Sequence, residues 1–194
     1  MIIEHSEIQQ IFKGLSCSKG DAKIIASVLK KLVLKKGTTI IKAGDIVLNT
    51  YGIQKGCLRT YYTDKQGKEH TLQFAIRGWW ISDFTAFFSS SKAIMSLEVL
   101  RDASLYQMSK KDRDYQFTKI PKLESFIREK LEHVYAAFQK RILSNLSQTA
   151  SKRYINFINA YPNIEKSVKN YHIASYLGIT TESLSRIRKE LTKT

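Results

Sequence analysis

Between positions 180 and 189 the chain sets out Thr180, Thr181, Glu182, Ser183, Ser185, Arg186 and Lys189, a mixture of hydroxyl, carboxylate, guanidinium and ammonium groups. At helical spacing Thr181, Glu182, Ser185, Arg186 and Lys189 share one face. Their chemistry is that of reading a nucleic-acid duplex. Arg forks onto guanine, a carboxylate accepts from the cytosine amino group, and Ser, Thr and Lys bond phosphates or base edges.

The residues around them supply the means of positioning that face. Ile173 and Leu177 lie four apart on one helix, with Ala174 small enough for a second helix to approach closely. Gly178 can adopt the positive φ that closes this first helix, Ile179 fills the corner, and Thr180 is a natural N-cap. Leu184, Ile187 and Leu191 then recur at intervals of three and four and are expected to face inward. A helical hairpin with a solvated polar face would share part of this pattern. The full register of small and apolar positions beneath a polar face favours a helix-turn-helix that enters the DNA major groove.

Composition agrees with an anionic partner. The 194 residues carry 32 Lys or Arg against 17 Asp or Glu, a formal charge of +15. An acidic membrane surface is the competing partner for such a charge. The charge does not locate the contact: residues 147–194 hold eight basic residues against three acids, the remainder 24 against 14. Cys17 and Cys57 are too few and too far apart for a disulfide framework or a cysteine-ligated metal cluster. No long apolar run or export signal is legible, so a cytoplasmic protein without a membrane partner is expected. His5, His70, His133 and His172 are scattered, and no metal site or catalytic residue set is assigned.

Residues 2–13 and 20–32 show helical spacing. From Leu32 to about Met108 the pattern changes to short β-rich runs at 38–42, 46–49, 52–63, 70–76, 97–100 and 103–108. Ala43-Gly44-Asp45 and Asp64-Lys65-Gln66-Gly67 read as turns between them. These features predict an antiparallel barrel or sandwich. The aromatic-rich segment Trp79 to Phe88 has no regular period and is expected to pack across the barrel mouth.

After Pro121 a single stripe of Leu123, Ile127, Leu131, Val134, Phe138 and Ile142 runs at helical intervals. It could lie on its own barrel, but its length and polar flanks favour the same helix of a second copy. A shorter helix, about 147–160, ends at Tyr161-Pro162-Asn163.

In this order of elements the chain resembles the CRP/FNR family of bacterial transcription regulators, closest to its short Bacteroidetes-type members. The resemblance is carried by Lys55-Gly56-Cys57-Leu58-Arg59-Thr60-Tyr61-Tyr62, Gly67-Lys68-Glu69, Gln139-Lys140-Arg141-Ile142, Arg153-Tyr154, Tyr161-Pro162 and Ile173-Ala174-Ser175-Tyr176-Leu177-Gly178-Ile179. It implies an α+β chain. Residues 1–118 would form a cyclic-nucleotide-binding-like antiparallel β-barrel (jelly roll) with flanking helices, 119–146 a dimerisation helix, and 147–194 the helix-turn-helix domain.

The resemblance also implies roles and departures. Where the cyclic-AMP receptor branch reads DNA through an Arg-Glu pair and a later Arg, this chain has Thr181, Glu182 and Arg186. Glu182 would take cytosine, Arg186 guanine, and Thr181 would alter preference at the remaining pair. Only eight residues follow Arg186, leaving no room for the family's β-hairpin wing, so Lys189 and Lys193 are expected to anchor phosphate. The cyclic-nucleotide pocket would fall at Trp80, Ser82, Asp83 and Lys92, but its Gly-Glu pair is replaced by Ile81-Ser82-Asp83. Lys92 lacks the planar fork of the family's Arg. Cyclic AMP is therefore not the expected effector, no cofactor is identified, and any small-molecule effector is unknown.

The leading reading is a homodimer on double-stranded inverted-repeat operators, with RNA polymerase as a further partner. Two other classes compete. A ligand-independent architectural DNA binder would need only the basic charge. A metal enzyme on a cupin-like barrel would need several histidines inside it, and the β-rich stretch offers only His70.

Overall fold

The computed structural model describes residues 3–162, 164–166 and 168–192. Ile2, Asn163 and Lys193, which figured in the sequence expectations, lie outside them. Helices α1 (His5–Ile11) and α2 (Lys19–Val28) open the chain. The second starts at a reciprocal cap: Ser18 Oγ accepts the Asp21 N–H at 3.1 Å, and the Asp21 carboxylate accepts the Ser18 N–H at 2.9 Å.

The sheet contains β1 (Lys30–Leu34), β2 (Thr39–Ile41), β3 (Asn49–Thr63), β4 (Glu69–Ala75), β5 (Trp80–Ile81) and β6 (Ser96–Ser109). Its pairing is antiparallel, in the order β1-β6-β3-β4, with β2 also on β6 and β5 on β3. The long strands β3 and β6 curl around an apolar core that includes Tyr51, Ile53, Leu58, Phe87, Leu97 and Leu105. Successive register shifts between Ile53 and Leu58 produce the curl. Gly56 sits in this bulge at φ +110°, where a Cβ would lie 2.6 Å from that of Ala103. Only glycine satisfies both conditions.

The expected fold class is present, with the sheet left open instead of closing as a barrel. The run 46–49 makes only an isolated bridge between Ile46 and Lys92 before β3 begins at Asn49, and Ile46 and Leu48 are exposed. The two runs at 97–100 and 103–108 are one continuous strand. Residues 30–32 extend the sheet instead of the preceding helix, because Leu29 turns to extended backbone and Lys30 pairs with Gln107. Within the aromatic segment Asp83 caps α3 (Phe84–Ser89), accepting the Ala86 N–H at 3.1 Å.

Helix α4 (Lys110–Lys119) has little apolar pattern. It docks through fully buried Gln116, whose Nε2 donates to the Ile25 carbonyl at 3.2 Å. Pro121 then starts α5 (Pro121–Ser147), followed by α6 (Ala150–Ala160), capped by Thr149. A 3₁₀ turn (Ile164–Lys166) leads to α7 (Asn170–Leu177) and α8 (Thr181–Leu191).

Candidate nucleic-acid interface

Gly178 closes α7 at φ +65°, and its N–H returns to the Ala174 and Ser175 carbonyls. Two residues later Thr180 caps α8, its hydroxyl accepting the Ser183 N–H at 3.2 Å. Ile173, Ala174, Leu177, Leu184 and Ile187 are buried together with Tyr154 and Phe157 of α6. The two helices therefore spend their facing sides on one another and on α6. Leu191, in the last turn of α8, departs from the expected inward position and is exposed.

Burying Leu184 and Ile187 turns Glu182, Ser185, Arg186 and Lys189 outward, and all four are exposed. Thr180 is also exposed, while Thr181 and Ser183 flank the face half-buried. Thr181 Oγ1 donates to Glu182 Oε1 at 3.0 Å, and Ser185 Oγ donates to the Thr181 carbonyl at 3.0 Å. Glu182's own N–H, with the Thr180 and Thr181 hydroxyls, holds its carboxyl below the usual range. It is thus an acceptor at neutral pH. Arg186 makes no ion pair with any described residue.

Arg188, two positions on, does different work. Its guanidinium donates to Glu165 at 2.5 Å, to Asn170 at 2.7 Å and to the Tyr154 hydroxyl at 3.2 Å, binding α8 to the turn before α7. Spacing along α8 puts Arg188 off the face that carries Arg186, but its partners come from distant segments and spacing does not name them.

The helix pair is itself docked on the sheet. Phe74 of β4 meets Phe157, Tyr161 and Tyr176 at ring distances of 6.0, 6.0 and 5.3 Å. Arg141 of α5 donates to the carbonyls of Leu72 and Tyr176 and lies 3.9 Å over the Tyr176 ring. Beneath α7, buried Arg59 bonds Glu98 and Glu69 at 2.8 and 2.5 Å. Near this cation, His172 is only 4% exposed. Burial first, and Arg59 and Lys169 after it, push its pKa down to about 4.

On α5 the expected stripe divides. Leu123 is fully buried in the chain's own apolar cluster, which removes it from a partner-facing seam, and Ile127 is half-buried against the same cluster. Leu131, Val134, Phe138 and Ile142 remain exposed, and Tyr135 and Leu146 extend the same face. The exposed part of the stripe begins about two turns later than expected, because the first turns of α5 pack into the cluster formed with α1, α2 and α4.

Of the four residues expected at an effector pocket, Ser82 and Asp83 spend their side-chain oxygens on backbone groups. Trp80 packs on Phe12, the residue after α1, at 5.5 Å, Ser82 donates to the Asn49 carbonyl at 2.8 Å, and Lys92 is exposed. Buried Asp83 accepts the N–H groups of Ala86, Ile94 and Met95 at 3.1, 2.8 and 2.9 Å. Its oxygens are committed to backbone, and the sheet interior is filled by the apolar core. His70 lies at the β3–β4 hairpin, 2.8 Å from Asp64 and part-exposed, away from any internal metal position.

Residues 31–116 match the cyclic nucleotide-binding domain family. Electron transport regulator A of Shewanella oneidensis is 25% identical over 169 residues, covering 81% of this chain and 67% of that protein. The fumarate and nitrate reduction regulatory protein of Vibrio cholerae is 23% identical over 171 residues, covering 81% and 67%. The chain thus spans about two thirds of the length of these curated relatives.

Among solved structures, a regulator assigned to the CRP/FNR family from Eubacterium rectale superposes with TM-score 0.68 at 19% identity, covering 90% of this chain and 83% of that one. The c-di-GMP responsive global regulator CLP of Xanthomonas campestris gives 0.72 at 14%, covering 91% and 92%. In sequence and in fold the chain is thus similar to regulators of this kind.

Proposed function

We propose that this chain is a sequence-specific transcription regulator that binds inverted-repeat DNA as a homodimer. The observation that carries the reading is the division of α8: Leu184 and Ile187 are buried while Glu182, Ser185, Arg186 and Lys189 are presented to solvent. Glu182 accepts from cytosine, Arg186 forks onto guanine, Thr181 tunes the neighbouring position, and Thr180, Ser183, Ser185 and Lys189 hold phosphate or base edges. Residues 1–118 act as the sensor-type domain, 119–146 as the dimerisation helix, and 147–194 as the reader. Leu131, Val134, Phe138 and Ile142 join two copies, setting the recognition helices about 34 Å apart on successive major grooves. The protein works in the cytoplasm, without enzymatic activity, alongside RNA polymerase. Its effector is not cyclic AMP.

The test compares affinity for a selected operator fragment and a scrambled one at physiological salt. The reading expects a preference of about 10³-fold or more, with log affinity falling steeply as log salt rises. A ratio near one would favour the architectural alternative, in which the basic charge alone binds.

A further inference from the structure

Where α5 and α6 meet β4 and α7 there is a cleft of about 540 Å³, bordered on one side by Val134 and Phe138 of the exposed α5 face and otherwise outside the roles proposed above. Its volume falls within the roughly 300–1,000 Å³ typical of small-molecule sites. The lining has two parts. Trp79, Phe157, Tyr161 and Tyr176 supply aromatic walls, with Trp79 and Tyr161 rings 5.4 Å apart. Lys130, Lys140, Arg141 and Arg153 supply cationic groups, and no Asp or Glu lines the cleft.

The charges are poorly compensated. Arg153 donates through Nη1 to the Gln148 carbonyl at 2.8 Å, but its Nε is buried and has no hydrogen-bond partner. Arg141 donates only to carbonyls. Neither Lys130 nor Lys140 forms an ion pair with a described residue. An unsatisfied buried donor costs about 1–3 kcal/mol and is relieved by an acceptor.

We propose that this cleft binds a small anion carrying a planar ring, the ring lying against the aromatic wall and the anionic group reaching Arg153 and Lys140. Charge-assisted bonds to guanidinium and stacking on aromatic faces are the interactions such a lining offers. Because the walls come from α5, β4, α6 and α7 together, a bound molecule holds the helix-turn-helix against the sheet. The binding claim stands without the DNA-reading assignment, so the failure of either leaves the other intact.

The test uses the full chain and two dyes that share a ring system, anionic 1-anilinonaphthalene-8-sulfonate and neutral N-phenyl-1-naphthylamine, followed by fluorescence titration. The expected result is one saturable site for the anion per chain. Arg153→Gln with Lys140→Gln should weaken it about tenfold or more while sparing the neutral dye. Ala137→Trp, on an exposed turn of α5 lining the cleft, should exclude both dyes without disturbing the fold, as read by thermal melting. No saturable anion binding, equal affinity for the two dyes, or titrations unchanged in both variants would overturn the proposal.

Discussion

The Ser175 hydroxyl accepts the main-chain N–H of Thr71 at 2.9 Å, and so fixes α7 to the free edge of the sheet. The same hydroxyl donates to the Glu69 carbonyl at 2.8 Å. One side chain thereby takes the place of a neighbouring strand at β4, satisfying an edge donor and an edge acceptor. It also ties the orientation of α7 and α8 to the sheet.

Ser175→Ala should weaken this contact at both ends. A loss of about 1–2 kcal/mol in denaturant unfolding is expected, two modest hydrogen bonds being removed at a half-buried position. Faster amide exchange at Thr71 locates the effect. Exchange at Thr71 equal to wild type would show that the hydroxyl does not hold the edge.

Arg59 gives an asymmetric prediction. Its side chain is only 3% exposed, whereas its partners Glu98 and Glu69 are 23% and 40% exposed. Glu98→Ala strands part of a buried cation's charge, while Arg59→Met leaves carboxylates that water can reach. Equilibrium unfolding should show Glu98→Ala as the more destabilising of the two, by about 1 kcal/mol or more. The reverse order would contradict the burial argument.

Acid should loosen the docked helix pair through His172. Its folded pKa lies near 4 against an ordinary 6.5, so the unfolded or undocked state binds more protons between these values. The associated stability is complete above about pH 6.5 and is lost as pH falls toward 4. His172→Gln should flatten this limb of the stability-versus-pH curve. An unchanged slope would assign the acid response to other groups.

The two halves of the α5 stripe should respond differently to the same chemistry. Phe138→Asp, on the exposed half, should leave a folded monomer by sedimentation and shift DNA binding to higher protein concentration. Leu123→Asp buries a charge in the subunit's own core and should prevent folding outright. A Phe138→Asp protein that remains a dimer would remove that face from the interface.

How far these features were legible depends on whether they are local. The α7–α8 turn could be read from Gly178 and Thr180 because a positive φ and an N-cap are set by the residues that occupy them. The long helix was legible from Pro121 and its stripe, though not where the stripe changes from intramolecular to exposed. That change is set by α2 and α4, distant in sequence. Helix α4 escaped because its anchor is the polar Gln116, which no apolar period reveals. The pocket residues were placed by resemblance alone, which does not reveal that the Asp83 carboxylate is taken by three backbone N–H groups.

The central claim is that α8 reads DNA through Glu182 and Arg186, and selection from a randomised duplex pool by wild type and by Glu182→Ala with Arg186→Ala tests it most directly. The wild type should recover an inverted repeat. The double variant should lose preference at the corresponding base pairs, at about 1–3 kcal/mol per contact, while keeping salt-dependent binding. Recovery of the same repeat with the same strength by both proteins would contradict the assignment.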